Sequence, residues 1–171
     1  MIWLLILKAL YFFLPAYVAN MSPVLFRWIP FSKPVHEKIF GRNKTWRGLI
    51  TATLMGGIIF YLQKLAYTSG FTKIALIDYN GFTVMLGLFL GFGAIIGDLI
   101  KSYYKRKLEI KPGDSWKVWD QTDFVIGGIL FSFFIYIPTV EVIVILLIIS
   151  PLLHIAVNHL SYWLKIGKSK W

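Results

Sequence analysis

Cysteine is absent from all 171 residues. Disulfides and thiolate metal sites are therefore excluded, and nothing can be read about redox compartment. The three histidines, His36, His154 and His159, are too scattered to make a histidine-rich metal centre. Acids are scarce, eight against eighteen Lys and Arg. The chain holds no internal repeat, no low-complexity segment and no polar stretch long enough for a soluble domain. The first apolar run lacks a basic n-region and an obvious small-x-small cleavage site, so it reads as a retained helix.

What the chain does have is apolar surface. Hydrophobic residues make up 57% and the mean hydropathy is +0.67, whereas a soluble domain is about 45–50% apolar. The composition is that of a membrane protein, and we expect one membrane-embedded domain over 1–171. Its net charge of +10 is concentrated. Six Lys/Arg lie between Arg27 and Arg47, six between Lys101 and Lys117, and three from Lys165 onward. Basic clusters beside apolar spans point to anionic headgroups or a phosphorylated substrate. They do not point to nucleic acid, because they occupy short loops and not a folded soluble face.

A helix needs about 20 apolar residues to cross a hydrocarbon core of about 30 Å. Ile2–Asn20, Leu49–Leu65 and Phe82–Ile100 meet this requirement. The apolar stretch Phe124–Val157 is too long for one crossing and is interrupted by Pro138 and Glu141, and proline removes a helical hydrogen bond. Splitting it there predicts an all-α integral membrane protein with five transmembrane helices. The fourth, Phe124–Ile137, is short unless it begins near Val118, which places Asp120 and Asp123 on its first turns, three residues apart and on one face. In this topology fifteen Lys/Arg fall on one side and two, Lys64 and Lys73, on the other. The positive-inside asymmetry puts the basic loops in the cytoplasm and the N-terminus outside.

Polar residues are wedged between the third and fourth spans. Asp98, Lys101, Ser102, Lys105 and Arg106 recur at intervals of three and four, giving one stripe at the helix end. Cations are favoured at a helix C-terminus and can snorkel, which accounts for Lys105, Arg106 and Lys107. It does not account for Asp98, because a carboxylate within a span costs roughly 2.5–3.5 kcal/mol on insertion scales. An ion pair with Lys101 or Lys105 is the structural alternative. Asp120 and Asp123 alone read as acids favoured at a helix N-terminus. Taken with Asp98, they are candidate metal ligands, and hard carboxylate oxygens without Cys or clustered His suit Mg²⁺.

A second motif, Gly41-Arg42-Asn43-Lys44-Thr45-Trp46-Arg47-Gly48, precedes the second span. Its donors near a helix N-terminus make an anion site, though it lacks the Walker A spacing; a positive-inside loop is the plainer reading. Arg27 and Lys33 fall outside this motif and are assigned to orientation or lipid attraction. Gly87, Gly91, Gly93 and Gly97 have the spacing of close helix packing. His154, Asn158 and Ser161 form a polar face suited to interhelical hydrogen bonds. Trp3, Trp28, Trp163 and Trp171 are interfacial anchors.

Gly97-Asp98-Leu99-(x)₂-Ser102-(x)₂-Lys105-Arg106, followed by Lys111-Pro112-Gly113 and Asp120-Gln121-Thr122-Asp123, resembles the signature of the CDP-diacylglycerol synthases. The longer bacterial and eukaryotic enzymes carry Pro-Gly-His-Gly-Gly and Asp-Arg-x-Asp where this chain has Pro112-Gly113-Asp114-Ser115-Trp116 and Asp120-Gln121-Thr122-Asp123. The short five-span form, with Gly41-(x)-Asn43-Lys44-Thr45-Trp46-Arg47-Gly48, is similar to the archaeal branch, the CDP-archaeol synthases. The resemblance implies transfer of CMP from CTP to 2,3-bis-O-(geranylgeranyl)glycerol 1-phosphate, with release of pyrophosphate. It implies that Asp98, Asp120 and Asp123 hold Mg²⁺, and that Lys105, Arg106, Lys111, Pro112 and Ser102 surround the triphosphate. Asn43, Lys44, Thr45, Arg47 and Gly48 would then bind the nucleotide from the facing loop. The alternatives are synthesis of CDP-diacylglycerol from an ester phosphatidate, or ion or anion transport; clustering of the charges at one face argues against transport.

Overall fold

A computed structural model of the chain describes residues 2–111, 114, 116 and 118–163, without the side chains of 158 and 160–162. Among these residues seven α-helices follow one another: α1 (Ile2–Phe12), α2 (Leu14–Leu25), α3 (Glu37–Phe40), α4 (Trp46–Thr68), α5 (Met85–Lys107), α6 (Trp119–Ser132) and α7 (Val140–Trp163), with a 3-10 turn at Tyr79–Gly81. Among the described residues there is no β-strand, only an isolated bridge between Pro34 and Thr45. Helices α4, α5 and the Val140–Val157 part of α7 are long and apolar enough to cross a membrane, and α1 with α2 forms a fourth such unit if the bent pair is one span. The protein is thus an all-helical, multi-pass membrane protein.

Two expected spans differ from the helices observed. The span expected over Ile2–Asn20 is two helices bent by 46° at Phe13. Pro15 causes the break, since it cannot donate to the carbonyl of Tyr11 four residues earlier. That carbonyl instead accepts a hydrogen bond from the side-chain amide of Gln63 on α4, a residue only 4% exposed. The helix expected to run to Ile137 ends at Ser132, leaving α6 with 14 residues, or about 21 Å at 1.5 Å per residue. After Ser132 the chain continues in turns, with the Ile135 and Tyr136 N–H groups both donating to the Ser132 carbonyl at 2.9 and 2.7 Å. By length α6 is not among the candidate spans.

α5 is the central helix. It packs on α6, α4 and α2, and its buried residues run from Leu86 to Lys105. Glycines set how closely its neighbours approach. A Cβ on Gly56 would overlap the Gly87 carbonyl, and one on Gly93 would overlap the carbonyl of Gly127. The packing expected from the glycine spacing is therefore present, with α4 on one side of α5 and α6 on the other. The main apolar core fills the remainder with Phe12, Phe13, Phe60, Tyr79, Leu86, Leu90, Phe124 and Val125. Tyr17 and Ser150 tie α2 to α7 through a 2.5 Å hydroxyl pair. Trp3, Trp28 and Trp163 are each more than 70% exposed, as interfacial anchors require.

Candidate active site

The glycine seam between α5 and α6 ends at the charged residues. A Cβ on Gly97 would overlap the backbone carbonyl of Asp123, so the residue before Asp98 lies directly against the backbone of Asp123. α6 begins at Trp119, with Asp120 in its first turn. Asp98, Asp120 and Asp123 are thereby brought together, as the sequence predicts.

They meet around Lys101, whose ammonium lies 3.0 Å from Asp98 Oδ1, 3.0 Å from Asp120 Oδ1 and 2.7 Å from Asp123 Oδ2. Each carboxylate directs one oxygen inward, while its second oxygen is fixed elsewhere. Asp98 Oδ2 accepts from Lys44 Nζ. Asp120 Oδ2 accepts from the Trp116 backbone N–H at 2.5 Å. Asp123 Oδ1 accepts from the Phe124 N–H at 2.7 Å. Lys105 lies 3.4 Å from Asp120 and donates to the Asp114 carbonyl. The pairing expected for Asp98 with Lys101 is present, while Lys105 pairs with Asp120.

The donor chemistry fits a hard divalent cation: three oxygens from three acids converge on one small volume, already oriented by other contacts. The sequence reading places a metal directly among the acids. Among the described residues no group of three acids stands ready as a metal cage, and the Lys101 ammonium lies among these three. In the sequence Lys101 enters only as an ion-pair alternative for Asp98. Its three-residue spacing from Asp98 was visible in the sequence, but its contacts with Asp120 and Asp123 depend on α6.

On the other side of Asp98 is a cavity of about 690 Å³. The 42–48 loop, α2 and α5 form its walls, and Asn43, Lys44, Thr45, Arg47 and Gly48 all line it. The loop is shaped locally. Gly41, at φ +87°, closes the short helix α3 in a conformation that L side chains resist. Val35 N–H donates to the Lys44 carbonyl at 2.8 Å, and Trp46 N–H to the Lys33 carbonyl at 3.0 Å. Thr45 caps α4, its hydroxyl accepting from Gly48 N–H at 3.2 Å. Arg47 donates to the backbone carbonyls of Arg27, at 3.0 Å, and Ile29, while its Nε is buried without a partner.

Asn20, Arg27 and Ser32 line the same cavity, and none of them was among the expected site residues. The sequence alone assigns Arg27 to orientation or lipid attraction; its place just after α2, where its carbonyl accepts from Arg47 of α4, puts it at the cavity. Ser102 is buried, with its hydroxyl bonded at 2.7 Å to the Asp98 carbonyl. The Arg106 Nε is buried without a partner, whereas Lys111 is exposed. Pro112 lies outside the described residues, as do Gly113, Ser115, Lys117, Trp171 and the side chains of Asn158 and Ser161. His154 packs against Phe124 with ring centroids 5.8 Å apart, so α7 also borders the acids.

Comparison with known proteins decides the family. The family model described as CarS-like, CDP-archaeol synthase, matches residues 1–171. The chain belongs to the CDP-archaeol synthase family. It is similar to the CDP-archaeol synthase of Pyrococcus furiosus, with 36% identity over 97% of this chain and 98% of the relative. It is 31% identical to that of Methanocaldococcus jannaschii over the full length of both chains. Among solved structures it is similar to one titled "Structural insight into an intramembrane enzyme for archaeal membrane lipids biosynthesis", with a TM-score of 0.71 and 29% identity, covering 90% of this chain and 94% of that one. Like its family, this CDP-archaeol synthase-type chain is an enzyme, a CTP-dependent cytidylyltransferase whose substrates are CTP and a lipid phosphate.

Proposed function

We propose that the chain transfers CMP from CTP to 2,3-bis-O-(geranylgeranyl)glycerol 1-phosphate at the cytoplasmic face of the membrane. The supporting observation is the placement of Asp98, which separates a cation-lined cavity from the acid cluster and touches both. The cavity has room for a nucleotide, and its position at the loop end of α4 and α5 lets a water-soluble substrate meet a lipid headgroup. Asn43, Lys44, Thr45, Arg47 and Gly48 bind CTP from the loop side. Ser102, Lys105, Arg106, Lys111 and Pro112 complete the phosphate surroundings on the other. The whole chain acts as one catalytic domain.

Asp98, Asp120 and Asp123 would hold Mg²⁺, which supplies charge neutralisation for the nucleotide phosphates when bound. In the transfer, an oxygen of the lipid phosphate attacks the α-phosphorus of CTP. The bond from that phosphorus to the bridging oxygen breaks, and pyrophosphate leaves with the electron pair. The lipid phosphate is already anionic near neutral pH, so no general base is required. The protein's part is positioning and electrostatic stabilisation. Lys105 and Arg106 face the charge that develops on pyrophosphate, while Lys44 orients the nucleotide phosphate at Asp98.

Five crossings support this chemistry best, with the bent α1–α2 pair as one span and α6 as the fourth. Glycine contacts hold α6 beside α5 along its length, so a 14-residue helix needs little lipid-facing surface of its own. Fifteen Lys/Arg then share one side with the site, which supports a cytoplasmic location and an external N-terminus.

The test is turnover by purified protein given labelled CTP, Mg²⁺ and either the isoprenoid ether phosphate or a diacyl phosphatidate, with EDTA as the metal-free arm. CDP-lipid and pyrophosphate should form from the ether substrate and stop with EDTA. Equal or better use of diacyl phosphatidate would replace the lipid assignment. Failure to consume CTP with either lipid would end it.

A further inference from the structure

The ion pairs of Lys101 reach beyond one helix. Asp98 and Lys101 share α5, but Asp120 and Asp123 come from α6. Three carboxylates this close repel one another unless a cation lies among them, and Lys101 supplies one from the chain itself. Its side chain is only 12% exposed, so water does little to screen the repulsion it offsets. The inward oxygens stand 2.7–3.0 Å from its nitrogen, a spacing suited to N–H···O bonds; Mg²⁺ takes oxygens at about 2.0–2.1 Å. An ammonium and a divalent cation therefore cannot share the same three oxygens in this arrangement. Lysine is suited to being replaced, as a point charge on a flexible four-carbon stem.

We infer that Lys101 is a positioning residue, an internal counter-ion that keeps the acids of α5 and α6 assembled before the divalent cation binds and yields their oxygens to it. This rests on the reading that Asp98, Asp120 and Asp123 hold the cation. Lys44 and Lys105 do not substitute for it. Lys44 lies on the outer oxygen of Asp98, and Lys105 contacts Asp120 at the longer distance of 3.4 Å. Binding of metal without nucleotide is thus opposed by Lys101, and the enzyme retains its folded site when metal is scarce.

Two measurements on detergent-solubilised full-length protein test this without turnover: Mn²⁺ affinity, from the loss of the free-ion electron paramagnetic resonance signal, and thermal stability in EDTA against Mg²⁺. Lys101→Met should bind Mn²⁺ on the order of tenfold more tightly than the wild type, since three partly buried ion pairs no longer compete. Its melting temperature should fall in EDTA and recover in Mg²⁺, while the wild type changes little between the two. Unchanged or weaker Mn²⁺ binding, or an equal loss of stability with and without metal, would overturn the inference. If Lys101→Met does not fold, Lys101→Arg decides: a guanidinium held by the same acids should keep the EDTA stability and weaken Mn²⁺ binding, and affinity equal to or tighter than wild type would refute it. Asp123→Asn separates the two readings. Wild-type binding that this variant abolishes establishes the acid site, so that an unresponsive Lys101 variant sinks only the counter-ion role. Absence of wild-type Mn²⁺ binding, or its persistence in Asp123→Asn, sinks both.

Discussion

Lys44 Nζ donates to Asp98 Oδ2 across 54 residues of sequence, joining the loop before α4 to the centre of α5. The two motifs of the sequence thereby meet, with a cavity of about 690 Å³ on the loop side of Asp98 and the acids beyond. A cation on one oxygen of Asp98 and a second cation on the other fix the carboxylate plane, the kind of outer contact that orients a metal ligand.

The three acids should fail as a unit. Asp98→Asn, Asp120→Asn and Asp123→Asn are each expected to lower turnover by about a hundredfold or more while leaving a folded protein, the scale for loss of a preorganised charge contact. Double substitutions should cost little more than single ones, because the remaining ligands no longer complete the site. Steady-state rates with labelled CTP and melting curves on the same samples check this, and near wild-type turnover in Asp98→Asn and Asp120→Asn would remove the shared site.

The loop cations should separate by what they touch. Lys44→Ala removes a charge-assisted bond from a partly desolvated site, a loss on the order of 1.5–3 kcal/mol, or about ten- to a hundredfold in kcat/KM for CTP at any salt concentration. Lys33→Ala should be mild and fade with salt, since an exposed headgroup contact is worth about 1 kcal/mol. Arg27 now stands with Lys44 as a cavity residue, so Arg27→Ala should raise the CTP requirement more than Lys33→Ala. Arg47→Ala should also loosen the 27–29 segment, which protease susceptibility would reveal. Identical, salt-suppressed effects for all four would make the loop an orientation anchor.

The sequence displayed the cluster of acids better than it displayed the helices that build it. Asp98, Asp120 and Asp123 stood out because acids are costly beside apolar spans, and the glycine spacing of α5 disclosed its packing faces. Lys101 was hidden by its own neighbours: within a run of cations at a helix end, its three acid partners are invisible until α6 is in place. Asn20 and Arg27 were hidden for a similar reason, since their part in the cavity depends on α2 packing against α4 and α5. The break at Phe13 comes from a single proline, a local effect that an average over apolar runs does not resolve.

Topology can be read in a chain without cysteine. If the basic loops face inward, as the positive-inside asymmetry predicts, Ser32→Cys should be shielded from an impermeant thiol reagent in sealed, right-side-out vesicles, and Thr72→Cys should be labelled. Labelling of Ser32→Cys from outside would reverse the orientation and move the CTP site with it.

Gln63 offers a stability test remote from the chemistry. Its amide serves the Tyr11 carbonyl that Pro15 leaves without a helical donor, at a position sealed from water. Gln63→Leu keeps the side-chain bulk but strands that acceptor, at a cost of about 1–3 kcal/mol. Thermal unfolding in detergent should register the loss, with kcat/KM for CTP unchanged below the transition. Pairing the substitution with Pro15→Ala restores a backbone donor, so the double variant should recover part of the stability lost by Gln63→Leu alone. An additive or worse double variant would show that Gln63 is held for some reason other than the carbonyl freed by the proline.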